Sequence, residues 1–92
     1  MIIPEHIMQG VAALVLQEGR EVFTRAEIRK HLSIEEGKWN ASYNPTFQGM
    51  RLDQPGGAPN VNQRFRNVFR QVKHGEHTLT EYGKQLIQEF ID

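Results

Sequence analysis

Residues 68–79 predict a β-hairpin in a chain whose other periodic segments are helical. Val68, Arg70 and Val72 have the spacing of a strand, and Phe69 breaks the alternation. The sequence Lys-His-Gly-Glu at 73–76 predicts a tight turn, because its glycine can adopt the positive φ that hairpin turns require. Residues 77–79 then form the return strand. One hairpin among helices predicts the α+β class.

A first helix is predicted over residues 4–18. Pro4 suits the first position of a helix, and Gly19 favours a stop directly after it. The apolar residues of this segment recur at i, i+4, i+7 and i+8 and form one stripe, which consists of Ile7, Val11, Leu14 and Val15.

A second helix is predicted over residues 25–32. Thr24 and Glu27 match a capping box, in which the hydroxyl accepts from the Glu27 backbone N–H and the carboxylate accepts from the Thr24 backbone N–H. Phe23 precedes the cap and can pack on the helix as a hydrophobic staple. The short apolar piece 22–23 is alternatively a minimal strand beside the hairpin.

The third helix has the weakest periodicity. Residues 33–44 predict a loop with at most one helical turn, and Asn44 then caps a short helix that begins at Pro45 and ends near Arg51. A start earlier in the chain is the alternative. Residues 53–60 contain two prolines and two glycines and predict a loop.

The remaining segments complete the order helix, short extended piece, helix, helix, hairpin, helix. Residues 61–67 predict a helical turn or an irregular segment, and Thr80 caps a last helix over 81–91. The apolar stripe of that helix exceeds what a small core absorbs, which predicts a homodimer formed through it. The stripe consists of Tyr82, Leu86, Ile87, Phe90 and Ile91.

Composition excludes several classes of protein. The 92 residues predict one domain over 1–92, and the absence of cysteine excludes a disulfide scaffold or a thiolate zinc site. No apolar run reaches the ~20 residues that span a bilayer, and we see no signal peptide, so we expect a cytoplasmic protein. The net charge is zero, yet residues 39–74 hold five basic side chains and one acid. That segment predicts a basic face on a neutral body.

Two segments resemble prokaryotic winged-helix domains. Residues 67–83 have a strand that ends near a basic residue and glycine, a return strand that ends in Leu-Thr, and a helix with Gly83 in its first turn. Residues 23–28 resemble the start of the second helix in such domains. The chain is similar in particular to the small winged-helix modules found alone or attached to restriction-type endonucleases in bacteria. The connection at 53–60 is longer than the family pattern needs.

The resemblance implies a three-helix helix-turn-helix core, a hairpin wing, a C-terminal helix, and double-stranded DNA binding through helix 3 and the wing. Arginine can pair bidentately with guanine, asparagine or glutamine can pair with adenine, and cations can neutralise phosphates. The candidate DNA-binding residues are Asn44, Thr46, Gln48 and Arg51 on the third helix, Arg64 and Arg66 beside Phe65, Arg70 on a strand, and Lys73 and His74 in the turn. A helix cap or a solvated surface position is the alternative interpretation of each.

The leading function is DNA binding, sequence-specific or structure-guided, by a transcription regulator or by the recognition module of a restriction or defence system. The alternative is a winged helix that binds a protein partner and no nucleic acid, which the zero net charge favours. No catalytic motif and no cofactor motif is recognisable, so we expect no enzyme. A metal pair of His74 and His77 across the hairpin is conceivable, but it is not our expectation.

Overall fold

The computed structural model describes residues 2–52 and 61–90. The α-helices are α1 (Ile3–Ala12), α2 (Arg25–His31), α3 (Glu36–Lys38), α4 (Asn44–Gly49) and α5 (Glu81–Leu86), and the strands are β1 (Phe69–Lys73) and β2 (Glu76–Leu79). π-helical turns follow α1 at Ala13–Gln17 and α3 at Trp39–Tyr43, and 3-10 turns lie at Gln63–Phe65 and Ile87–Phe90. The α+β class is confirmed. The order of elements is compatible with a winged-helix layout, and the predicted loop at 53–60 lies outside the described residues.

Local signals set the ends of the first two helices as predicted. Gly19 has φ +71°, a conformation that glycine adopts without a steric penalty, and it ends the first helical run. The Thr24 hydroxyl accepts from Glu27 N at 3.1 Å, and the Glu27 carboxylate accepts from Thr24 N at 2.8 Å, which completes the capping box. The Glu27 carboxylate also accepts from the guanidinium of Arg20.

The third helix begins earlier than the favoured prediction. Residues 36–49 form one helical run, which we call the third helical segment. Asn44 lies inside it with φ −61° and ψ −46°, so it is not the predicted N-cap, and the extended residue before the run is Glu35. The run is helical because Trp39, Tyr43 and Phe47 recur at every fourth residue and are at most 6% exposed. That apolar stripe carries the helix through the segment predicted as a loop.

The hairpin is confirmed with small shifts of its ends. β1 and β2 pair antiparallel, with Phe69 opposite Leu79 and Arg70 opposite Thr78, and Gly75 takes φ +78° in the turn. Phe23 forms a two-way backbone bridge to His77, with both N–O distances at 2.9 Å. The short apolar piece before α2 is therefore a bridge beside the hairpin.

One apolar cluster joins these elements. Phe47 of α4 stacks on Phe69 of β1 with ring centroids 4.7 Å apart, and Phe23 meets Phe69 edge to face at 5.6 Å. A hydrogen bond of 2.7 Å between His6 and the Tyr43 hydroxyl ties α1 to the third helical segment. These contacts fix α4 against the hairpin and so determine which polar side chains share a surface. Across the described ranges, no helix has both the length and the apolar character needed to cross a membrane.

The last helix buries much of the stripe that predicted a homodimer. Leu86 and Ile87 are 3% and 1% exposed and belong to the apolar cluster, and Phe90 packs against that cluster. Tyr82 is 40% exposed. Ile91 lies outside the described residues. The homodimer remains a prediction, with Tyr82 as the main apolar side chain of the stripe still at the surface.

Candidate functional site: an arginine and amide cluster between helices α2 and α4

Arg25, Asn44 and Gln48 form a polar cluster between α2 and α4, which we call the Arg25 cluster. The Arg25 guanidinium donates from Nη1 to Asn44 Oδ1 and from Nη2 to Gln48 Oε1, the latter at 2.8 Å. Its Cζ lies 4.9 Å from the centroid of the Phe47 ring, a cation–π distance. The two amides lie four residues apart on one face of the helical run, so one planar guanidinium reaches both.

The Arg25 cluster is positively charged and partly desolvated. Within residues 2–52 and 61–90, no carboxylate forms an ion pair with Arg25. Burial, and secondly the charge of Arg51, lower the pKa of the Arg25 guanidinium from its ordinary value. A cation in this setting is stabilised by an anionic or acceptor-rich ligand, because the neutral amide oxygens compensate its charge less than a carboxylate would.

Arg51 does not extend from the third helix as predicted. It lies after α4, where it forms a parallel bridge with Phe69, and it is 8% exposed. Its Nη2 donates to Gln71 Oε1 at 2.6 Å. Because its side chain is buried against β1, Arg51 contributes charge to the neighbourhood of Arg25 but little surface. The predicted position of Arg51 on the third helix is therefore corrected, and its role in DNA binding stays a prediction.

Thr46 is also less available than its position suggested. Its hydroxyl donates to the Ser42 carbonyl at 3.1 Å, one turn earlier in its own helical run. The hydroxyl oxygen keeps acceptor capacity, but its proton is used within the helix.

The hairpin presents a second group of cationic and polar residues. Arg70 and His74 are exposed, on β1 and in the turn respectively. Lys73 pairs with Glu76 at 3.2 Å, but its side chain is 72% exposed, and ion pairs at such exposure contribute only about 0–1 kcal/mol. A phosphate can therefore compete with the Glu76 carboxylate for this ammonium. His77 is buried edge to face against Phe47, whereas His74 is exposed, so the two rings have different environments.

Arg64 and Arg66 belong to a third location. Arg64 pairs with Glu89 and lies over the rings of Phe65 and Phe90, and the Arg66 Nε donates to the Val61 carbonyl at 2.9 Å. The predicted single basic face is therefore divided. Arg51 is buried, and Arg64 and Lys73 have carboxylate neighbours.

The sequence prediction included Asn44 and Gln48 but missed Arg25. The sequence did contain an indication of its role. A basic side chain in the first turn of a helix interacts unfavourably with the helix dipole, which favours an acidic side chain there. A basic residue at that position suggests a partner outside its own helix, and the structure supplies Asn44 and Gln48.

Comparisons with models of known protein families, with curated proteins and with solved structures gave no match to this chain. The functional argument therefore depends on its own residues. In the described part of the chain, no group of three or more potential ligand side chains could hold a metal ion. The Arg25 cluster instead offers hydrogen-bond donors and positive charge. Such a cluster suits the binding of an anion better than covalent or acid–base chemistry.

Proposed function

We propose that this chain is a winged-helix domain that binds double-stranded DNA through the third helical segment and the β1–β2 hairpin. A single observation carries the proposal. Arg25 is a partly buried cation at the junction of α2 and α4, and its partners in the described residues are two neutral amides and an aromatic ring. A duplex supplies the negative charge that these neutral partners lack, and its major groove accepts one α-helix.

The hairpin supports the same proposal. In a winged helix the hairpin is a second contact element beside the helix in the groove. Arg70, Lys73 and His74 are exposed on it and could approach the neighbouring phosphates. Phe47 stacks on Phe69, so α4 and β1 are held in a fixed relation and could present their polar groups together. A transcription regulator and a recognition module of a restriction or defence system would both use such a surface.

Salt dependence tests the proposal. The positive charges of Arg25, Arg70 and Lys73 can neutralise about three phosphates, so log affinity for random duplex DNA should fall against log salt with a slope of about −3. Fluorescence anisotropy of a labelled duplex measures this between low and moderate salt. Absence of binding at the lowest salt would contradict DNA binding and favour the alternative, a protein-binding winged helix, which the zero net charge still supports.

A pair of lysines provides a matched control. Lys73–Glu76 in the hairpin and Lys84–Glu81 in α5 are both exposed i,i+3 ion pairs, with N–O distances of 3.2 and 3.5 Å. Lys73→Ala should weaken duplex binding and reduce the magnitude of the salt slope by about one. Lys84→Ala removes the same charge and should leave both unchanged. Equal effects of the two substitutions would show that duplex binding depends on the net charge of the protein and not on a contact made by the hairpin.

A further inference from the structure

We propose that Arg25 is a positioning residue that fixes Asn44 and Gln48 as hydrogen-bond donors, so that this surface selects acceptors and discriminates against the adenine edge. The inference rests on the proposed function and deepens it, because it names the chemistry that the surface recognises. It differs from the expectation that these amides pair bidentately with adenine.

The chemistry of the guanidinium determines which way each amide points. Arginine has five N–H donors and no acceptor, so the amide atom that accepts its hydrogen bond must be the oxygen. Asn44 Oδ1 and Gln48 Oε1 are those oxygens. Reversing either amide would place an NH₂ group against a guanidinium, donor against donor. The orientation of both amides therefore follows from Arg25.

The anchor that holds this orientation is rigid. Arg25 opens α2, whose first turn is closed by the Thr24–Glu27 capping box, and Ile28 one turn later is fully buried. The guanidinium is flanked by the buried Phe47 ring. Lysine at position 25 would keep the charge, but its single ammonium lacks the planar fork that serves two amides at once.

Locked amides have a defined recognition preference. Bidentate pairing with adenine uses the amide oxygen to accept from N6 and the amide NH₂ to donate to N7. In the Arg25 cluster the oxygens already accept from a cation, whose positive potential repels a further donor. The NH₂ groups remain as donors, and they match guanine O6 and N7 or the oxygens of a phosphate. The shared chemistry of the ligand is therefore an acceptor without a neighbouring donor.

The first arm of the experiment uses the free, full-length protein. Side-chain amide resonances of Asn44 and Gln48, observed by ¹⁵N NMR, should shift and exchange faster in Arg25→Lys and Arg25→Met. Lys30→Met removes an exposed charge from the same helix and should leave both resonances in place. Unchanged amide resonances in the Arg25 variants would overturn the inference even if the protein binds DNA.

The second arm uses duplex DNA and separates the two acceptor sources. A randomised duplex pool is selected with wild type, Arg25→Lys and Lys30→Met. If the amides contact bases, wild type and Lys30→Met should prefer guanine at one or more positions, and Arg25→Lys should lose roughly tenfold of that preference while keeping its salt slope. If they contact phosphate, wild type should show no base preference and Arg25→Lys should weaken all duplexes alike.

Four results overturn the inference, three from the duplex arm and one from the NMR arm. An adenine preference in wild type would show that the amide oxygens are available to bases, and a base preference that Arg25→Lys leaves intact would show that Arg25 does not fix the amides. A wild-type protein that binds no duplex would overturn this inference together with the proposed function. Amide resonances that stay unchanged in the Arg25 variants, with duplex binding intact, overturn this inference alone.

Discussion

Gly83 should be essential to the attachment of the last helix, although it lies in the first turn of α5, where alanine is the better helix former. A Cβ at this position would lie 2.3 Å from the Val68 carbonyl oxygen, whereas ordinary contact begins at 3.4 Å. The Val68 oxygen cannot retreat freely, because it accepts from Thr80 N at 2.9 Å. Thr80 in turn caps α5 by accepting from Gly83 N at 3.0 Å.

The magnitude follows from three effects. Forcing a methyl group into this contact costs roughly 1–3 kcal/mol, and displacing the Thr80 hydrogen bonds costs about 1 kcal/mol more. The change from glycine to alanine within a helix returns up to about 1 kcal/mol. We therefore expect Gly83→Ala to lower the free energy of unfolding by about 2 kcal/mol, which for a chain of this size lowers the Tm by roughly 8–16 °C.

Thermal and urea unfolding followed by circular dichroism measure the effect, and Gly37→Ala is the matched control. Gly37 lies in the short helix α3, and a Cβ there would approach only the Glu35 carboxylate, the flexible end of an exposed side chain, at 3.3 Å. Gly37→Ala should therefore raise the stability by roughly 0.5–1 kcal/mol. A Gly83→Ala variant that is as stable as wild type would refute the argument from close packing.

Two further predictions concern pH and assembly. The hydrogen bond from Arg20, supported by those from Thr24, holds the pKa of the Glu27 carboxyl below its ordinary value of about 4.3. The ionised carboxylate therefore stabilises the fold at a pH above that ordinary pKa. This stabilisation is lost as the pH falls through the lower pKa of the folded protein. Urea unfolding at pH 3–7 should show a smaller acid loss for Glu27→Gln than for wild type, and an equal acid loss in the two proteins would contradict the argument. If Tyr82 lies in a homodimer interface, sedimentation at increasing concentration should show a dimer that Tyr82→Ser abolishes, and a monomer mass at high concentration would exclude that dimer.

The sequence predicted those features that depend on a few neighbouring residues. The Thr24–Glu27 capping box, the Gly19 stop and the Gly75 turn each need one residue type in one local conformation, and each forms as predicted. The Thr80 cap and the helix that follows it were predicted for the same reason. Caps and turns of this kind depend on residues that are close in sequence, so they can be predicted from the sequence alone.

Features that depend on contacts between distant residues were missed. The helical run starts before Asn44 because Trp39 and Tyr43 are buried against other elements, and the π-helical turn between α3 and α4 departs from the ordinary helical repeat. Arg25 meets Asn44 and Gln48, which lie 19 and 23 residues away. The burial of Arg51 likewise depends on the bridge to β1. Composition cannot reveal which of several arginines a fold encloses.

The zero net charge restricts how such a protein could hold a duplex. Charges separated by more than about 10 Å are largely screened at 0.1 M salt, and a neutral chain has no strong overall field to add to them. Affinity must then come from groups in direct contact, and selectivity from those contacting donors whose direction is fixed. Asn44 and Gln48 meet the requirement for selectivity, because Arg25, itself held over the Phe47 ring, fixes both amides. The exposed ammonium of Lys73 can contact a phosphate but has no fixed direction, and we therefore expect selectivity to depend on position 25 and general affinity on the hairpin.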